Sequence, residues 1–339
     1  MERTIDRKIV LKDGRTLGYA EYGDPMGAPI MMFHGTPGSK KFEEVVQKIE
    51  PQSKLLRTWE LKGGVSAQVT ALEIERPDGR TQKMIVRQHG AVDFEHNPHI
   101  AADEFKLLQL LHSVGLAVPK PYYLDQSGKI FSTPYVVIEY IEGESEIAPS
   151  DVTNFILQLT IHLSRIHQVD CSKLDVSFLP QQEKIVAKKL RERPTNVGES
   201  GDERRIRDAL ESVWPIHQHN PSVLLHGDFW PGNILWRDGL LVAVIDWEDA
   251  ALGDPLADVA NSRREILWAF GIDAMQHFTH QYQSMTTIDF TNLPYWDLCA
   301  ALRSASQIAE WGLDDTTKKS MREGHRWFVT QAFEKLAVQ

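Results

Sequence analysis

The chain has 339 residues, of which 42% are hydrophobic and 25% charged, and this composition is typical of a globular protein. The net charge of −10 argues against nucleic-acid binding, which requires clustered cations. The sequence has only two cysteines, which does not indicate a disulfide framework. Its start is charged and it has no apolar run of ~18 residues, so it does not indicate a membrane span. We expect a cytoplasmic protein with no membrane or nucleic-acid partner, whose oligomeric state stays open.

The first 50 residues form a segment of their own. Strands are predicted over Lys8–Lys12, Thr16–Tyr22 and Ile30–Phe33, followed by His34-Gly35 and a short helix over Phe42–Ile49. The strands and the His-Gly pair resemble the opening of an α/β-hydrolase. That chemistry also needs a Gly-x-Ser-x-Gly nucleophile elbow, which does not occur in the sequence, so hydrolase activity is not expected.

A second group of strands follows, over Leu56–Leu61, Ala67–Glu75 and Lys83–Gln88. The turn after the first of them contains Gly63-Gly64 and Ser66. Glycine allows close backbone approach, so this turn can lay N–H groups over phosphates. A plain hairpin turn explains the same residues equally well.

The remaining periodicity is mainly helical. An amphipathic helix is predicted over Ala101–Ser113 and a buried strand over Tyr135–Ile141, and Ser150 is expected to cap the helix that follows. Further helices are predicted over Asp202–Val213, Leu256–Trp268, Ala274–Met285, Tyr295–Trp311 and Thr316–Leu336. Strands followed by helices indicate an α+β fold.

The strongest motif runs from Leu225 to Asn233 and is followed by Ile245-Asp246. Between them, two short apolar strands flank Asp238-Gly239, which predicts a hairpin with Asn233 opposite Val244 and Asp246 on the diagonal. An amide and a carboxylate at the open end of a hairpin suit a hard cation such as Mg²⁺. Asp228 would then lie where a carboxylate orients a hydroxyl, which is the arrangement of a phosphoryl-transfer site.

The stretches HGDFWPGN, IDWED and GDPLAD resemble the aminoglycoside phosphotransferase and choline kinase family, relatives of the protein kinases. The resemblance runs from about Leu56 to Leu336. It implies a two-lobed fold, with a small β-rich N-lobe over 51–143 and a larger helical C-lobe over 144–339, preceded by a β extension. It also implies a catalytic base at Asp228, Mg²⁺ ligands at Asn233 and Asp246, and a supporting role for His226.

The resemblance assigns the nucleotide contacts as well. Arg87 stands at the position of the family's phosphate-binding lysine, and Glu104 is the one carboxylate expected to pair with it. An exposed strand arginine and a solvated helix glutamate are the alternatives. The backbone of Glu139 and Ile141 would form the hinge that hydrogen-bonds adenine. Two more aspartates would be structural: Asp254 as a helix cap and Asp258 as a buried hydrogen-bonding support.

The function implied by the resemblance is transfer of the γ-phosphate of ATP or GTP to a hydroxyl of a small molecule. The expected acceptor is an aminoglycoside, which the protein would phosphorylate in the manner of a 3′-type O-phosphotransferase. Macrolides, choline, homoserine, a sugar or a protein side chain stay open. A catalytically silent nucleotide-binding pseudokinase is the alternative of another class, prompted by Arg87 in place of lysine.

Overall fold

The computed structural model describes residues 3–10, 16–22, 39–61, 67–192, 201–304 and 314–338. The chain divides into two compact units, Met1–Lys40 and Lys41–Gln339. In the first unit, β1 (Arg3–Val10) and β2 (Thr16–Tyr22) pair as an antiparallel hairpin. The predicted strand Ile30–Phe33 and the following His34-Gly35 lie outside the described residues, and the hydrolase-like interpretation stays a prediction.

The second unit contains all but the first two residues of α1 (Ser39–Ile49), followed by a five-stranded antiparallel sheet in the order β3-β4-β5-β7-β6. Its strands are β3 (Lys54–Glu60), β4 (Ala67–Glu75), β5 (Thr81–His89), β6 (Pro121–Asp125) and β7 (Tyr135–Glu139). Helix α1 packs on this sheet, because its apolar residues recur on one side of the helix. The packed side chains are Phe42, Val45 and Val46 from the helix with Leu72, Ile74, Met84 and Val86 from the sheet.

Two helices connect β5 to β6. The short α2 (Ala91–His96) leads into α3 (Ile100–Ser113), which buries Leu107, Leu108 and Leu111 in the main core. Spacings of one, three and four residues place these leucines on one face. Gly115 has φ +79°, a value that suits glycine, and it ends the turn after α3.

The C-terminal part is mainly helical. Its helices are α4 (Val152–His167), α5 (Gln182–Arg191), α6 (Gly201–Val213), α7 (Leu256–Met285), α8 (Leu293–Ser304) and α9 (Asp315–Val338). The prediction of Ser150 as the cap of α4 was wrong by one residue, since Asp151 accepts the Asn154 N–H. Within α7, the two helices predicted between Leu256 and Met285 are both present and are separated at Gly271, whose φ is +84°.

Four short strands lie among these helices: β8 (Val223–Leu225), β9 (Ile234–Arg237), β10 (Leu240–Val244) and β11 (Ala251–Gly253). The predicted turn is present, with positive φ at Asp238 and Gly239. The predicted register was wrong beyond the turn. A bulge between Leu241 and Ala243 shifts the pairing by one, so Val244 lies opposite Ile234 instead of Asn233.

The described part of the chain is thus an α+β protein, with a small sheet-based lobe and a larger helical one, as predicted. None of its described helices combines the length and apolar character required to cross a membrane. The division at residues 50 and 143 remains our proposal for the domain boundaries.

Candidate active site

The loop after β8 is held by one buried carboxylate. Asp258, near the start of α7, accepts the backbone N–H of His226 at 2.7 Å and that of Gly227 at 2.9 Å. His167 Nε2 lies 3.1 Å from the same carboxylate. Burial alone would raise the pKa of Asp258, but these hydrogen bonds and the nearby histidines bring it below its usual value. Asp258 is therefore ionised and supports the loop, as predicted.

Gly227 is required by this loop conformation. Its φ is +80°, and a Cβ at this position would lie 2.0 Å from the backbone oxygen of Asp249. Only glycine fits both conditions.

His226 joins the loop to the end of the β9–β10 hairpin. Its ring is fully buried, and Nε2 lies 3.0 Å from the Ile245 carbonyl oxygen, to which it donates. Nδ1 then accepts the Asp228 N–H at 3.2 Å. This arrangement agrees with the supporting role expected for His226.

Asp228 and Asn233 contact each other, and Asp246 follows the residue whose backbone pairs with Asn233. Asn233 Nδ2 donates to the Asp228 backbone oxygen at 3.0 Å and to its carboxylate at 3.1 Å, which directs the amide oxygen away from Asp228. The shifted register pairs Ile245 N–H with Asn233 O at 2.9 Å, so Asp246 follows directly. Asp246 has φ +67°, which turns its carboxylate away from the strand direction.

Arg87 on β5 links the small lobe to this hairpin. Its Nη2 lies 2.6 Å from Asp246 Oδ1 and 2.6 Å from Glu248 Oε2, while Nη1 lies 3.5 Å from Glu104 Oε1. Burial disfavours the charged guanidinium, but the three carboxylates outweigh burial and raise the pKa of Arg87. The alternative of an exposed strand arginine is therefore excluded for this buried residue.

Glu104, the helix carboxylate expected to face Arg87, does pair with it, and Asp246 and Glu248 from another segment face Arg87 as well. Glu104 itself is buried and accepts a hydrogen bond from His89 Nε2 at 2.7 Å. Burial would raise the pKa of Glu104, but Arg87 and His89 bring it below its usual value. Glu104 is thus a buried ion-pair partner, and the solvated-glutamate alternative is excluded.

The predicted hinge follows β7, which ends at Glu139 and not at Ile141. The Glu139 N–H donates to the Lys120 carbonyl at 2.8 Å. The hinge role of Glu139 and Ile141 stays a prediction. The predicted phosphate turn, Gly63, Gly64 and Ser66, lies outside the described residues.

Sequence reasoning missed Arg303 on α8. Its Nη2 lies 3.2 Å from Asp228 Oδ1 and 2.6 Å from Asp249 Oδ2, and Nη1 donates to the Gly227 carbonyl. Burial raises the pKa of Asp228, and the charge of Arg303 partly offsets that shift. No spacing in the sequence signals this contact, because α8 reaches the loop only through the packing of the helical lobe.

Relatives with longer chains share part of this sequence. The chain is 27% identical over 200 residues to the Mus musculus acyl-CoA dehydrogenase family member 10, matching 53% of this chain and 18% of that protein. It is 24% identical over 257 residues to the Rattus norvegicus family member 11, matching 66% of this chain and 32% of that protein. The chain therefore spans less than a third of the curated relatives' length.

Solved structures share the fold. An amicoumacin kinase in complex with AMP-PNP, Ca²⁺ and Ami superimposes with a TM-score of 0.62 at 14% identity, covering 87% of this chain and 94% of that one. The GDP and kanamycin complex of an aminoglycoside phosphotransferase superimposes with a TM-score of 0.59 at 16% sequence identity, covering 88% of this chain and 99% of that one. A type I macrolide 2′-phosphotransferase superimposes with a TM-score of 0.59 at 16% sequence identity, covering 86% of this chain and 98% of that one.

These similarities confirm the predicted two-lobed, protein-kinase-like fold. The family match is direct at the level of sequence, since residues 60–292 fit the profile described as the APH phosphotransferase enzyme family. This range holds Arg87, Glu104, Asp228, Asn233 and Asp246. With more than half of its length matched, the chain belongs to the APH phosphotransferase enzyme family.

Proposed function

We propose that the chain transfers the γ-phosphoryl group of ATP or GTP to a hydroxyl of a small molecule. The observation that carries the proposal is the contact of Asp228 with Asn233 beside Asp246, whose carboxylate is bridged to the small lobe by Arg87. A carboxylate base, oxygen ligands for a cation and a phosphate-binding cation are the parts that phosphoryl transfer needs.

In this reaction the acceptor oxygen forms a bond to the γ-phosphorus, while the bond from that phosphorus to the bridging oxygen breaks. The hydroxyl proton passes to the carboxylate of Asp228, which is oriented by Asn233. Arg87 carries a fixed charge and balances the diphosphate that leaves.

The residues present fit Mg²⁺. The amide oxygen of Asn233 and the carboxylate of Asp246 are hard oxygen ligands, and the hydrogen bonds from Asn233 Nδ2 fix which amide atom faces the cation. When bound, the ion neutralises charge on the nucleotide phosphates. Ca²⁺ with a nucleotide analogue in the amicoumacin kinase complex supports a divalent ion in this fold.

An aminoglycoside is the first acceptor we propose. The kanamycin complex of a structural neighbour and the net charge of −10 support a cationic substrate. A second candidate follows from Arg303, whose guanidinium lies 3.2 Å from Asp228. A cation beside the base favours an acceptor with a carboxylate near its hydroxyl, and homoserine is an example.

The test is phosphate transfer from ATP and GTP to a panel of aminoglycosides, macrolides, choline, sugars and homoserine, comparing the wild type with Asp228→Asn. We expect Asp228→Asn to lower kcat by on the order of 10²–10⁴, because proton transfer is lost. The melting temperature should be retained, since Asn keeps an oxygen that accepts from Asn233 and removes a buried charge.

Asp238→Asn is the matched control. Asp238 lies at the hairpin tip with φ +53°, a conformation that asparagine tolerates, so its kcat should stay within about twofold of the wild type. Full turnover by Asp228→Asn would remove Asp228 from the mechanism. Nucleotide binding by the wild type, without transfer to any acceptor, would favour the catalytically silent alternative.

A further inference from the structure

A histidine with one unsatisfied nitrogen lies next to the Arg87 ion pairs. His89 is the last residue of β5 and is 3% exposed. Its Nε2 lies 2.7 Å from Glu104 Oε2. Its Nδ1 is buried and has no hydrogen-bond partner among the described residues. A buried polar atom without a partner is rare and calls for an explanation.

Two carboxylates lie close to the His89 ring. One carboxylate oxygen from Asp93 on α2 and one from Glu248 lie with a His89 ring nitrogen so that all three atoms are within 4.8 Å of one another. Glu104 accepts from Nε2, so Nδ1 of the neutral ring carries a lone pair that is not used by any hydrogen bond among the described residues. An imidazole nitrogen and two carboxylate oxygens grouped in this way form a donor set suited to a cation.

The charges nearby also favour a cation. Four carboxylates, those of Asp93, Glu104, Asp246 and Glu248, surround Arg87 and His89, and Arg87 is the cation that contacts three of them. Asp93 is oriented by the Gly90 N–H at 3.0 Å, and Glu248 by Arg87. The carboxylates are thus held in place around an excess of negative charge.

We propose that His89, Asp93 and Glu248 bind a divalent transition-metal ion such as Zn²⁺, at a site separate from the proposed Mg²⁺ ligands Asn233 and Asp246. Imidazole favours Zn²⁺ and similar ions over Mg²⁺. Glu104 supplies the carboxylate that hydrogen-bonds the second nitrogen of a metal-binding histidine. The site does not depend on the proposed phosphoryl transfer.

The distances allow this ion after a small movement. Zn–N and Zn–O bonds of about 2.0–2.2 Å in a tetrahedral site bring ligand atoms to roughly 3.5 Å from one another. The carboxylates must close by about 1 Å, and the half-buried Asp93 and Glu248 have room to do so while the buried His89 stays fixed. The ion would join α2, β5 and the segment after β10, and would thereby hold Arg87 in position.

The experiment uses the full chain, treated with a chelator and free of nucleotide and Mg²⁺. Zn²⁺ is titrated by calorimetry, and Co²⁺ is added to detect imidazole ligation in its visible spectrum. We expect one tight site per chain, and Asp93→Asn and His89→Gln should each weaken Zn²⁺ binding by at least tenfold. The Co²⁺ spectrum should lose its imidazole contribution in His89→Gln.

Matched controls separate this site from surface binding and from the proposed Mg²⁺ site. His112 is exposed on α3, and Asp103 lies on the same helix, so His112→Gln and Asp103→Asn should bind Zn²⁺ as the wild type does. Asp246→Asn should also retain the tight site. Asp93→Asn keeps the proposal testable if His89→Gln does not fold.

Wild-type affinity in both His89→Gln and Asp93→Asn would overturn the proposal. The absence of a tight Zn²⁺ site in the wild-type chain would overturn it as well.

Discussion

Burial and the charge of Arg303 are the two largest influences on the pKa of Asp228, and they oppose each other. Burial raises the pKa of its carboxyl group, and the guanidinium of Arg303 at 3.2 Å counteracts that effect. A base must be deprotonated to accept a proton, so the activity should fall as the pH decreases through the pKa of Asp228. Arg303 is thus expected to set the acid side of the pH–rate profile.

Replacing Arg303 tests this relation. Arg303→Met removes the nearby positive charge, so the pKa of Asp228 should rise further and the acid limb of kcat should move upward by about one pH unit. Arg303→Lys keeps the charge and is the control. The acid limb of its kcat–pH profile should lie close to that of the wild type. An unshifted limb in Arg303→Met would show that Arg303 does not act on Asp228.

Arg303 also separates the two proposed acceptor classes. If a carboxylate of the acceptor is bound by Arg303, Arg303→Met should raise KM for homoserine and leave KM for an aminoglycoside near its original value. A KM that rises only for the aminoglycoside would argue against the anionic acceptor.

Among the elements of the fold, the loop after β8 and the helices α4 and α7 are joined by the carboxylate of Asp258. Asp258 accepts two backbone N–H groups of the loop after β8 and contacts His167 on α4. Asp258→Asn places an amide N–H against one of these donors, so we expect the free energy of unfolding to fall by about 2–4 kcal/mol. Chemical denaturation near pH 7 measures this change. Asp289→Asn, at an exposed turn, is the control and should change it by less than about 0.5 kcal/mol.

The pH dependence of this loss has a definite sign. The folded-state pKa of Asp258 is lowered, so its contribution is fully present above the unfolded value of about 3.9. The contribution is lost as the pH falls through the lower, folded-state pKa. The stability difference between wild type and Asp258→Asn should therefore narrow below about pH 4. A difference that stays constant down to pH 2 would contradict the ionised support.

The elements that the sequence predicted best have strong periodicity. Ala67–Glu75 matches β4 at both ends, and the helix predicted over Ala101–Ser113 differs from α3 by one residue. The helix α5 was missed because it buries only Val186 and Leu190, which leaves little pattern. The strand β6 was missed because it begins with Pro121, and the edge of the sheet tolerates a proline that disfavours an inner strand.

The site was predictable only along the motif. Asp228, Asn233 and Asp246 could be brought together from a hairpin, since local pairing joins them. The contacts of Arg87 with Glu248 and of Arg303 with Asp228 join distant segments, and no local rule fixes such distances. The bulge in β10 was missed because Leu240–Val244 is an unbroken apolar run, in which no polar residue marks the change of register.

For the molecule as a whole, α1 packs on the sheet of the small lobe, although it precedes the proposed boundary at residue 50. Phe42, Val45 and Val46 are buried against the sheet, and their burial contributes on the order of 5 kcal/mol. Deletion of residues 1–50 should therefore lower the melting temperature strongly and expose apolar sheet surface to a hydrophobic dye.

Deletion of residues 1–38 is the control for this prediction, because it keeps α1 intact. We expect a melting temperature clearly above that of the longer deletion. Equal losses in the two deletions would mean that α1 contributes nothing to the stability of the sheet.

The bulge between Leu241 and Ala243 has a consequence for how this hairpin can change in evolution. It sets the count of residues from Asn233 to Asp246, and removing one residue would bring the indole of Trp247 to the place of the carboxylate. Apolar residues within the hairpin can replace one another, whereas an insertion or a deletion there would displace the carboxylate and is not tolerated. Among homologues that keep the activity, the number of residues between Asn233 and Asp246 should vary less than the identity of those residues.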